Sequence, residues 1–413
     1  MTVRFAVAGA GLRGAAYARH AAATGRCRIT AVAEPDPVRR ARFAAEHDLP
    51  PERVFTDWRG LAGCDGIDAV VVATQDRMHE EPAVALLGRG LDVLLEKPMA
   101  PAEPAARRIT EAAERSGRIF AVCHVLRYTP YTAAIVRVLD AGLLGDVISV
   151  QHLEPVGWWH AAHSFVRGNW RREAESGPML LTKSCHDLDW LMFLVGRPVE
   201  RVSSFGSLTH FRPENRPGGA AGRCLDCRVE PDCPYSAVRL YLGCLGDPAR
   251  ERWPLGAVTE EPTETAVRKA LRTGDYGRCV YDCDNDVVDH QVVNLQFAGG
   301  ATAAFSMVAF TPGDGHRRTR IFGSHGSLEG DGVTLTLTDF RDGSRRDVPV
   351  VAGDGTAAGG HGGGDAGLIR AFVDAVATRD QSLLGSGARA SLDSHRVVWA
   401  AERSRLTGAV VTL

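Results

Sequence analysis

The tripeptide Glu96-Lys97-Pro98 follows the apolar run 93–95 and contains residue types that can move a proton. Interconversion of an alcohol and a carbonyl by hydride transfer requires a proton donor or acceptor. A partly desolvated lysine can fill that role, because burial lowers the pKa of its ammonium group. On its own such a tripeptide is more often a surface loop, so the elements around it must decide its meaning.

Strands and helices alternate through the first 123 residues. Short apolar runs predict strands, and apolar residues at helical spacing predict helices. The predicted strands cover residues 3–8, 29–33, 69–73, 93–95 and 119–123, and the predicted helices cover residues 12–24, 37–47, 82–87 and 102–116. This order is typical of an α/β domain with a doubly wound parallel sheet, and Lys97 follows one of its strands.

The segment 9–14, Gly-Ala-Gly-Leu-Arg-Gly, joins the first predicted strand to the first predicted helix. It matches the pattern G-x-G-x-x-G, in which Gly9 permits a tight turn, Gly11 lets a pyrophosphate approach the backbone, and Gly14 allows close packing of helix on strand. The pattern alone is weak in a chain with 45 glycines. Its position between a strand and a helix makes it a prediction of dinucleotide binding.

Glu34 ends the second predicted strand, twenty residues after Gly14. A carboxylate at this point accepts hydrogen bonds from a ribose 2'-hydroxyl and repels a 2'-phosphate, which favours NAD over NADP. Arg39 and Arg40 lie one turn further on and could reach such a phosphate. We interpret them as a solvated helix face, so NAD is the expected cofactor and NADP the less favoured one.

Composition limits the class of partner. The 413 residues are enough for two or three domains, and a formal net charge of −2 gives no long-range attraction to nucleic acid or to an anionic membrane. The first strand begins too early for a signal peptide, and no apolar run approaches the roughly 20 residues that span a bilayer. We therefore expect a cytoplasmic protein with a small-molecule partner, whose ten cysteines are thiols or metal ligands.

Together with the loop 73–79 and the later segment His186-Asp187-Leu188-Asp189, these motifs resemble the Gfo/Idh/MocA family of oxidoreductases, named after glucose-fructose oxidoreductase and inositol dehydrogenase. The resemblance covers nearly the whole chain. It implies an NAD-binding Rossmann domain at residues 1–123 and an α/β domain at 124–413 with a large, open, mostly antiparallel sheet. It further implies a sugar, cyclitol or related carbohydrate substrate and a homodimer or homotetramer.

The resemblance also assigns roles to residues. It implies that Lys97 and His186 are acid/base residues close to nicotinamide and substrate. Lys183, beside His186 in the sequence, is either a second cation of the site or a solvated neighbour. Where the family often has an aspartate four residues before the histidine, this chain has Thr182, which cannot stabilise an imidazolium as a carboxylate does. The implied cofactor-binding set is Gly9, Gly11, Leu12, Arg13, Gly14, Glu34, Thr74, Gln75, His79, Glu96 and Lys97.

An aromatic and polar stretch at residues 158–172 suits a carbohydrate pocket, because sugars are bound by aromatic faces and fixed hydrogen-bond donors. A loop packed on the sheet edge or a subunit interface is an equally good interpretation. Arg127 and Tyr128 resemble a family position near the domain junction. The predicted substrate-binding set is Arg127, Tyr128, Trp158, Trp159, His163, Arg167, Trp170 and Asp187.

A segment rich in Pro, Gly and Cys, about residues 207–283, interrupts the second domain. The spacing Cys224-x2-Cys227-x5-Cys233 suggests a structural zinc site that needs a fourth soft ligand. Resemblance to relatives with the same insertion favours Cys279 as that ligand, with Cys244 and Cys283 as alternatives. Free buried thiols are the competing interpretation.

The remainder of the chain is predicted to complete the second sheet. Residues 287–297 and 301–310 form a hairpin around Gly299-Gly300, and residues 319–350 continue as strands and turns. Residues 356–365 are glycine-rich and are interpreted as a linker rather than an entry loop. Helices are predicted at 367–378 and 390–406.

The sequence leaves three functional hypotheses. The first is an NAD-dependent oxidoreductase acting on a secondary alcohol of a sugar, cyclitol or glycoside, with Lys97 and His186 handling the proton. The second, known for some members of the family, is redox-neutral glycoside hydrolysis by transient oxidation at C3 and elimination. A cofactor-sensing protein without turnover is disfavoured, because Lys97 and His186 are both present.

Overall fold

Two β-sheets organise the chain in the computed structural model, which describes residues 2–313, 316–351 and 362–413. The first sheet is parallel and contains β1 (Val3–Ala8), β2 (Cys27–Ala33), β3 (Val54–Phe55), β4 (Ala69–Val72), β5 (Asp92–Leu95) and β6 (Phe120–Val122). Their spatial order is β3-β2-β1-β4-β5-β6, the order of the doubly wound dinucleotide fold. The predicted sheet is confirmed, with β3 as the one strand that the sequence pattern missed.

Helices cover both faces of this sheet. They are α1 (Leu12–Ala23), α2 (Pro37–Glu46), α3 (Arg59–Ala62), α4 (Glu80–Gly88) and α5 (Glu103–Ser116). Local chemistry explains their ends. Asp36 caps α2 by accepting from the backbone N–H of Arg39, with Pro37 in the first turn, and Gly117 ends α5 with φ at 60°. The four longer helices agree with prediction to within two residues at nearly every end.

The second sheet has nine strands and is mostly antiparallel, as predicted. The strands are β7 (Val147–Gly157), β8 (Val199–Ser207), β9 (His290–Phe297), β10 (Thr302–Thr311), β11 (Arg318–Gly323), β12 (Gly326–Gly330), β13 (Leu335–Asp339), β14 (Arg345–Asp347) and β15 (Val411–Thr412). Their order is β14-β13-β12-β11-β7-β10-β9-β8-β15, and β7 with β10 is the parallel pair. The predicted hairpin joins β9 to β10 through Gly299 and Gly300, at φ of 81° and 89°.

One face of the second sheet is covered by helices, while alternate residues on the other face are exposed. The helices after β6 are α6 (Pro130–Asp140), α7 (Trp158–Ala161), α8 (Glu173–Ser176), α9 (Met179–Val195), α10 (Ala237–Leu242), α11 (Pro248–Arg252), α12 (Glu264–Thr273), α13 (Gly364–Thr378) and α14 (Ala388–Thr407). Helix α9 is buried along most of its length, and Gly196 ends it. This helix carries the candidate acid/base residues of the second domain.

The segment between β8 and β9 has a small core of its own, built from Ala237, Tyr241, Leu255, Val267 and Leu271. Helices α10 and α12 supply four of these residues. The cysteine-rich segment that composition singled out therefore folds as a compact insertion on the second domain. No helix among the described residues is long and apolar enough to cross a membrane.

Helix α13 returns to the first sheet. Its residues Leu368, Ile369, Phe372 and Val373 are buried in the same apolar cluster as strands β1 and β2 and helix α1. The helix begins at Gly364, three residues before the predicted start, so Gly364 and Asp365 belong to a helix and not to a linker. The rest of the predicted glycine-rich segment, residues 356–361, lies outside the described residues. Packing thus joins the end of the chain to the Rossmann sheet.

Candidate active site

The glycine turn at the end of β1 has the backbone geometry of a dinucleotide site. Gly9 has φ of +91°, and a Cβ there would lie 2.5 Å from the carbonyl oxygen of Ala73. A Cβ on Gly11, in contrast, would point into open space. Helix α1 starts at this point without a side-chain cap, so its first N–H groups are available to an anion. Gly9 and Gly11 therefore fit the tight turn and the pyrophosphate approach predicted for them. A Cβ on Gly14 would lie 1.9 Å from Gly9 O, which fits its predicted role in packing the helix on the strand, and contact of Leu12 with the cofactor stays a prediction.

Glu34 is buried at the carboxyl end of β2. Its two carboxylate oxygens accept hydrogen bonds from the backbone N–H groups of Ala10, at 2.7 Å, and of Asp36, at 3.0 Å. Glu34 is thereby fixed against the glycine turn, where a ribose hydroxyl could share its remaining acceptor capacity. This position fits the predicted contact with the adenosine ribose.

Arg13 and Glu96 contact each other and further protein groups, and their contacts with the cofactor stay predictions. Arg13 Nε donates to Glu96 Oε1 at 2.6 Å, and the same guanidinium pairs with Asp365 of α13 at 2.7 Å. Tyr17 also donates to Glu96, at 2.9 Å. Burial would raise the pKa of Glu96, but the charges of Arg13 and Lys97 and the hydrogen bonds from Arg13 and Tyr17 lower it. This buried ion pair braces the glycine turn.

His79 connects two loops at the strand ends and contacts protein carbonyls rather than open space. Its Nδ1 lies 2.8 Å from Pro98 O and its Nε2 lies 3.1 Å from Thr74 O. Because the ring is fully buried, the structure gives His79 a bracing role in place of the predicted cofactor contact. Thr74 and Gln75, which is exposed, remain at the loop surface where the prediction placed them.

Lys97 bridges the two domains. It follows β5, its peptide bond with Pro98 is cis, and its Nζ donates to the main-chain oxygen of Thr182 in α9 at 2.6 Å. His186 is one turn further along the same helix. Lys97 and Lys183 are also two of only three lysines in the chain, which otherwise uses arginine. Lysine can lose its proton at a site and arginine cannot, so this choice of residue suits acid/base chemistry.

Arg317, which precedes β11, organises the wall around His186. Its Nη2 lies 2.9 Å from His186 Nε2 and 2.7 Å from Glu154 Oε2, and its Nε donates to Asp187 Oδ1 at 2.5 Å. Glu154, on β7, also binds Lys183 Nζ at 2.9 Å. Two cations and two carboxylates thus form one chain of contacts beside His186. No sequence motif predicted Arg317 or Glu154.

Asp187 is an interior anchor and not the substrate contact that was predicted. It is fully buried, and besides Arg317 it contacts His152 Nε2 at 3.2 Å. Burial would raise the pKa of Asp187, but the charges of Arg317 and His186 hold it well below its usual range. A carboxylate next to His186 is therefore present despite Thr182, whose hydroxyl lies near carbonyl oxygens of its own helix.

Arg127 and Tyr128 lie at the domain junction, as expected, but their polar atoms have protein partners. Arg127 makes a two-point ion pair with the buried Asp189, at 2.6 and 2.8 Å, and donates to Gly385 O at 2.7 Å. Tyr128 Oη lies 2.9 Å from Ser386 Oγ. These contacts give both residues a role in joining the domains, and their contact with substrate stays a prediction.

The predicted aromatic pocket divides into two parts. Trp170 is half-buried at the interdomain cleft, where its Nε1 donates to Asp76 Oδ2 at 3.0 Å. Burial raises the pKa of Asp76, although His79 and Lys97 lower it in part. Trp158 and Trp159 are half-buried further out, where Trp159 packs on Trp253 of the insertion. These three tryptophans keep exposed area that could contact a ligand.

His163 and Arg167 are interior residues whose polar atoms contact protein groups, and their contact with substrate stays a prediction. His163 is 2% exposed, its Nδ1 lies 2.8 Å from Tyr241 Oη, and burial lowers its pKa to about 3. Arg167 is 1% exposed and donates to the carbonyl oxygens of Arg278, at 2.7 Å, and Tyr235, at 2.8 Å. Both side chains fasten the insertion to the domain.

The four cysteines predicted as metal ligands line one cavity of the insertion together with Arg167: Cys224, Cys227, Cys233 and Cys279. Cys244 and Cys283 do not line it. Burial and the neighbouring Cys224 raise the pKa of Cys233 and Cys279. Within residues 2–313, 316–351 and 362–413, however, no three His, Cys, Asp or Glu side chains are arranged as a metal site.

The parallel sheet with its glycine turn, and a second sheet whose helix α9 meets Lys97 across the cleft, define a two-domain dinucleotide-dependent oxidoreductase. Family models match both parts: the NAD-binding Rossmann fold of an oxidoreductase family over residues 3–124, and its C-terminal α/β domain over residues 136–413. The chain belongs to the Gfo/Idh/MocA family, as its motifs predicted.

Two curated relatives show the range of chemistry among similar proteins. Inositol 2-dehydrogenase 2 of Saccharopolyspora erythraea is 33% identical over 201 residues, which cover 48% of this chain and 56% of that protein. The 2,7-anhydro-N-acetylneuraminate hydratase of Mediterraneibacter gnavus is 28% identical over 205 residues, covering 50% and 52% respectively. The chain thus spans about half the length of these relatives.

A solved structure extends the likeness to the whole chain. Levoglucosan dehydrogenase in complex with NADH and levoglucosan matches with a TM-score of 0.74 at 16% identity, covering all of this chain and 99% of that one. At this level of identity the likeness concerns the fold.

Proposed function

We propose that the chain is an NAD-dependent oxidoreductase acting on a secondary alcohol of a sugar, cyclitol or glycoside. The observation that carries the proposal is the contact between Lys97 Nζ and Thr182 O, at 2.6 Å, one turn from His186. It brings the two candidate proton-handling residues to one point of the cleft, at the carboxyl ends of the parallel strands, where dinucleotide folds bind their ligands.

Separate residues would bind the cofactor, move the proton and hold the acid/base groups in the proposed reaction. A bound nicotinamide supplies hydride exchange with the carbinol carbon. Lys97 takes the hydroxyl proton during oxidation, or returns it during reduction, and His186 is the second acid/base. Arg317 and Asp187 hold the His186 ring, while Lys183 adds positive charge beside it.

Binding of the two ligands follows from the same geometry. The first turn of α1 and the open space at Gly11 accommodate the pyrophosphate, and Glu34 binds the adenosine ribose, which favours NAD over NADP. The exposed faces of Trp158, Trp159 and Trp170 suit the C–H faces of a carbohydrate.

A second candidate function is redox-neutral hydrolysis of a glycoside. In that reaction the sugar is oxidised at C3, the acidified neighbouring position loses its proton as the aglycone leaves, water adds, and the carbonyl is reduced again. Two observations favour keeping it: a relative is named as a hydratase of an anhydro sugar, and Thr182 replaces the expected aspartate in this chain.

A single panel of free polyols and nitrophenyl glycosides tests both functions. Growth of the NADH absorbance band with a polyol or free sugar, in proportion to substrate, supports the dehydrogenase. Release of nitrophenol without net NADH supports the hydrolase instead. If neither signal appears and the protein binds no nicotinamide nucleotide in solution, both proposals are wrong.

We further propose that Cys224, Cys227, Cys233 and Cys279 bind a structural zinc ion. Support comes from their common cavity and from Arg167, whose Nη2 lies 3.5 Å from Cys224 Sγ. Among the described residues, Nη1 of this buried guanidinium has no hydrogen-bond partner. A zinc ion bound by four thiolates carries a net negative charge, which would balance the positive charge of Arg167. Zinc binding would also bring the four sulfur atoms closer together.

Self-association through the open face of the second sheet is the remaining proposal. Phe205, Val292 and Ile148 are exposed on its strands, at 63%, 39% and 53%. Exposed apolar area on a sheet is typical of a contact with another chain. We expect a homodimer or homotetramer, which light scattering on the purified protein would show. Phe205→Lys should shift the oligomeric state toward the monomer.

A further inference from the structure

Helix α2 presents arginines at the adenosine end of the dinucleotide cleft. It begins two residues after Pro35, directly beyond Glu34, and Arg40 Nη1 donates to the carbonyl oxygens of Glu34, at 2.7 Å, and Pro35, at 2.9 Å. Arginines in this position are the groups that bind a ribose 2'-phosphate, because a guanidinium pairs with phosphate through two parallel hydrogen bonds. Arg39 and Arg42 have the side-chain chemistry that such a contact needs.

The insertion reaches across to these arginines. Glu260, which follows α11, lies 2.9 Å through Oε1 from Arg39 Nε and 2.8 Å through Oε2 from Arg42 Nη1. One carboxylate thus engages two guanidinium groups that are separated from it by more than 200 residues of sequence. This contact joins the cysteine-rich insertion to the Rossmann domain.

Charge around Glu34 depends on this contact. The hydrogen bond that Arg39 donates to Glu260 raises the pKa of Arg39, and the charges of Glu34 and Asp36 add to the effect, so Arg39 lies within electrostatic reach of Glu34. Glu34, Asp36 and Glu260 balance Arg39, Arg40 and Arg42. Without the Glu260 charge the site becomes positive, and the side chain of Arg39 is released.

We propose that Glu260 is a specificity-determining residue, which keeps the adenosine site selective for NAD by engaging Arg39 and Arg42 so that they do not bind a 2'-phosphate. The inference rests on the proposed use of NAD at this cleft. It assigns to the insertion a role in the choice of cofactor, besides any role of its cysteines.

Calorimetric titration of the full-length protein, freed of nucleotide, with NAD and with NADP tests the proposal. For Glu260→Gln we expect the Kd for NADP to fall by about tenfold and the Kd for NAD to change less than about threefold. Glu261→Gln is the matched control, because the neighbouring side chain makes no ion pair among the described residues. It should bind both nucleotides as the parent does.

A second variant tests whether Arg39 is the group that binds the 2'-phosphate of NADP once Glu260 is replaced. Adding Arg39→Gln to Glu260→Gln should return the Kd for NADP to the parent value, since the two changes act on one contact. If Glu260→Gln binds NAD normally and its affinity for NADP is unchanged, Glu260 does not set specificity and the inference is wrong. If the parent protein binds neither nucleotide, the proposed function is wrong, and the inference is wrong as well because it rests on that function.

Discussion

Lys97 of the Rossmann domain and Thr182 of the second domain are joined by a hydrogen bond of 2.6 Å from an ammonium group to a main-chain oxygen. The acceptor is a helical carbonyl, so the contact depends on the backbone of α9 and not on the threonine side chain. The loss of the aspartate at this position therefore leaves the lysine held in place. The proposed acid/base residue is positioned by both domains at once.

Replacement of Lys97 should separate catalysis from cofactor binding. In Lys97→Ala we expect turnover to fall by a factor on the order of a hundred or more, because the alcohol loses its proton acceptor, while the Kd for NAD stays within about threefold of the parent. Steady-state rates and calorimetry measure the two quantities. Lys269→Ala is the matched control, since that lysine is exposed on α12. Undiminished turnover in Lys97→Ala would remove the lysine from the mechanism.

Loss of Arg317 should destabilise the fold, because it leaves the buried Asp187 and Glu154 carboxylates without their shared cation. We expect Arg317→Gln to lower the free energy of unfolding by about 3 to 5 kcal/mol, measured by urea denaturation. Arg317→Gln with Asp187→Asn should recover part of that loss. If the double variant is no more stable than the single one, the two residues are not coupled in the way that their contact indicates.

Metal content tests the insertion. Chelator-washed protein should retain about one zinc ion per chain by elemental analysis, because four thiolates in a folded site hold zinc tightly. Cys233→Ser should lose most of this zinc and lower the thermal midpoint. Cys64→Ser, which changes a half-exposed thiol of the first domain, should affect neither quantity. Zinc-free parent protein would contradict the assignment and favour free thiols.

Buried histidines should make the protein sensitive to acid. Burial lowers the pKa of His124 to about 4 and of His395 to about 3, below the ordinary value of about 6.5. Because the folded-state pKa is the lower one, the stabilisation is complete above about pH 6.5 and is lost as the pH falls toward these values. His124→Phe should reduce the loss of unfolding free energy between pH 7 and 4 by about 3 kcal/mol.

Urea denaturation at a series of pH values measures this effect. His325→Gln, at an exposed position, should leave the pH dependence unchanged. Equal pH dependence in His124→Phe and the parent would show that His124 does not contribute.

The first sheet was predictable in detail, because its strands are short continuous apolar runs and its helices have regular spacing. Strand β3 (Val54–Phe55) was not predicted, because two residues are too few to show a repeating pattern of apolar positions. In the second domain the hairpin of β9 and β10 and the closing helix α14 were predictable, whereas the start of α13 was placed three residues late because it lies among glycines.

The candidate site was only partly predictable. Residues in sequence motifs, such as Gly11 and Lys97, lie where their motifs indicated. Arg317 and Glu154 were missed because they reach His186 only through the pairing of β7 with β11, which no local spacing reports. The contacts of Arg167 and His163 with the insertion were likewise not predictable, because they join segments that are far apart in the sequence. The small number of lysines in the chain was a further signal in the sequence, which would have pointed to Lys97 and Lys183.

The packing of α13 against the first sheet has a consequence for synthesis of the protein. The ribosome makes the Rossmann strands first, yet Leu368, Ile369 and Phe372, which complete their apolar core, come from near the end of the chain. Until that helix emerges, one side of the nascent sheet lacks its cover. We expect the N-terminal domain, made without α13, to aggregate or to recruit chaperones. The first domain to be synthesised therefore cannot complete its folding until the C-terminal part of the chain is made.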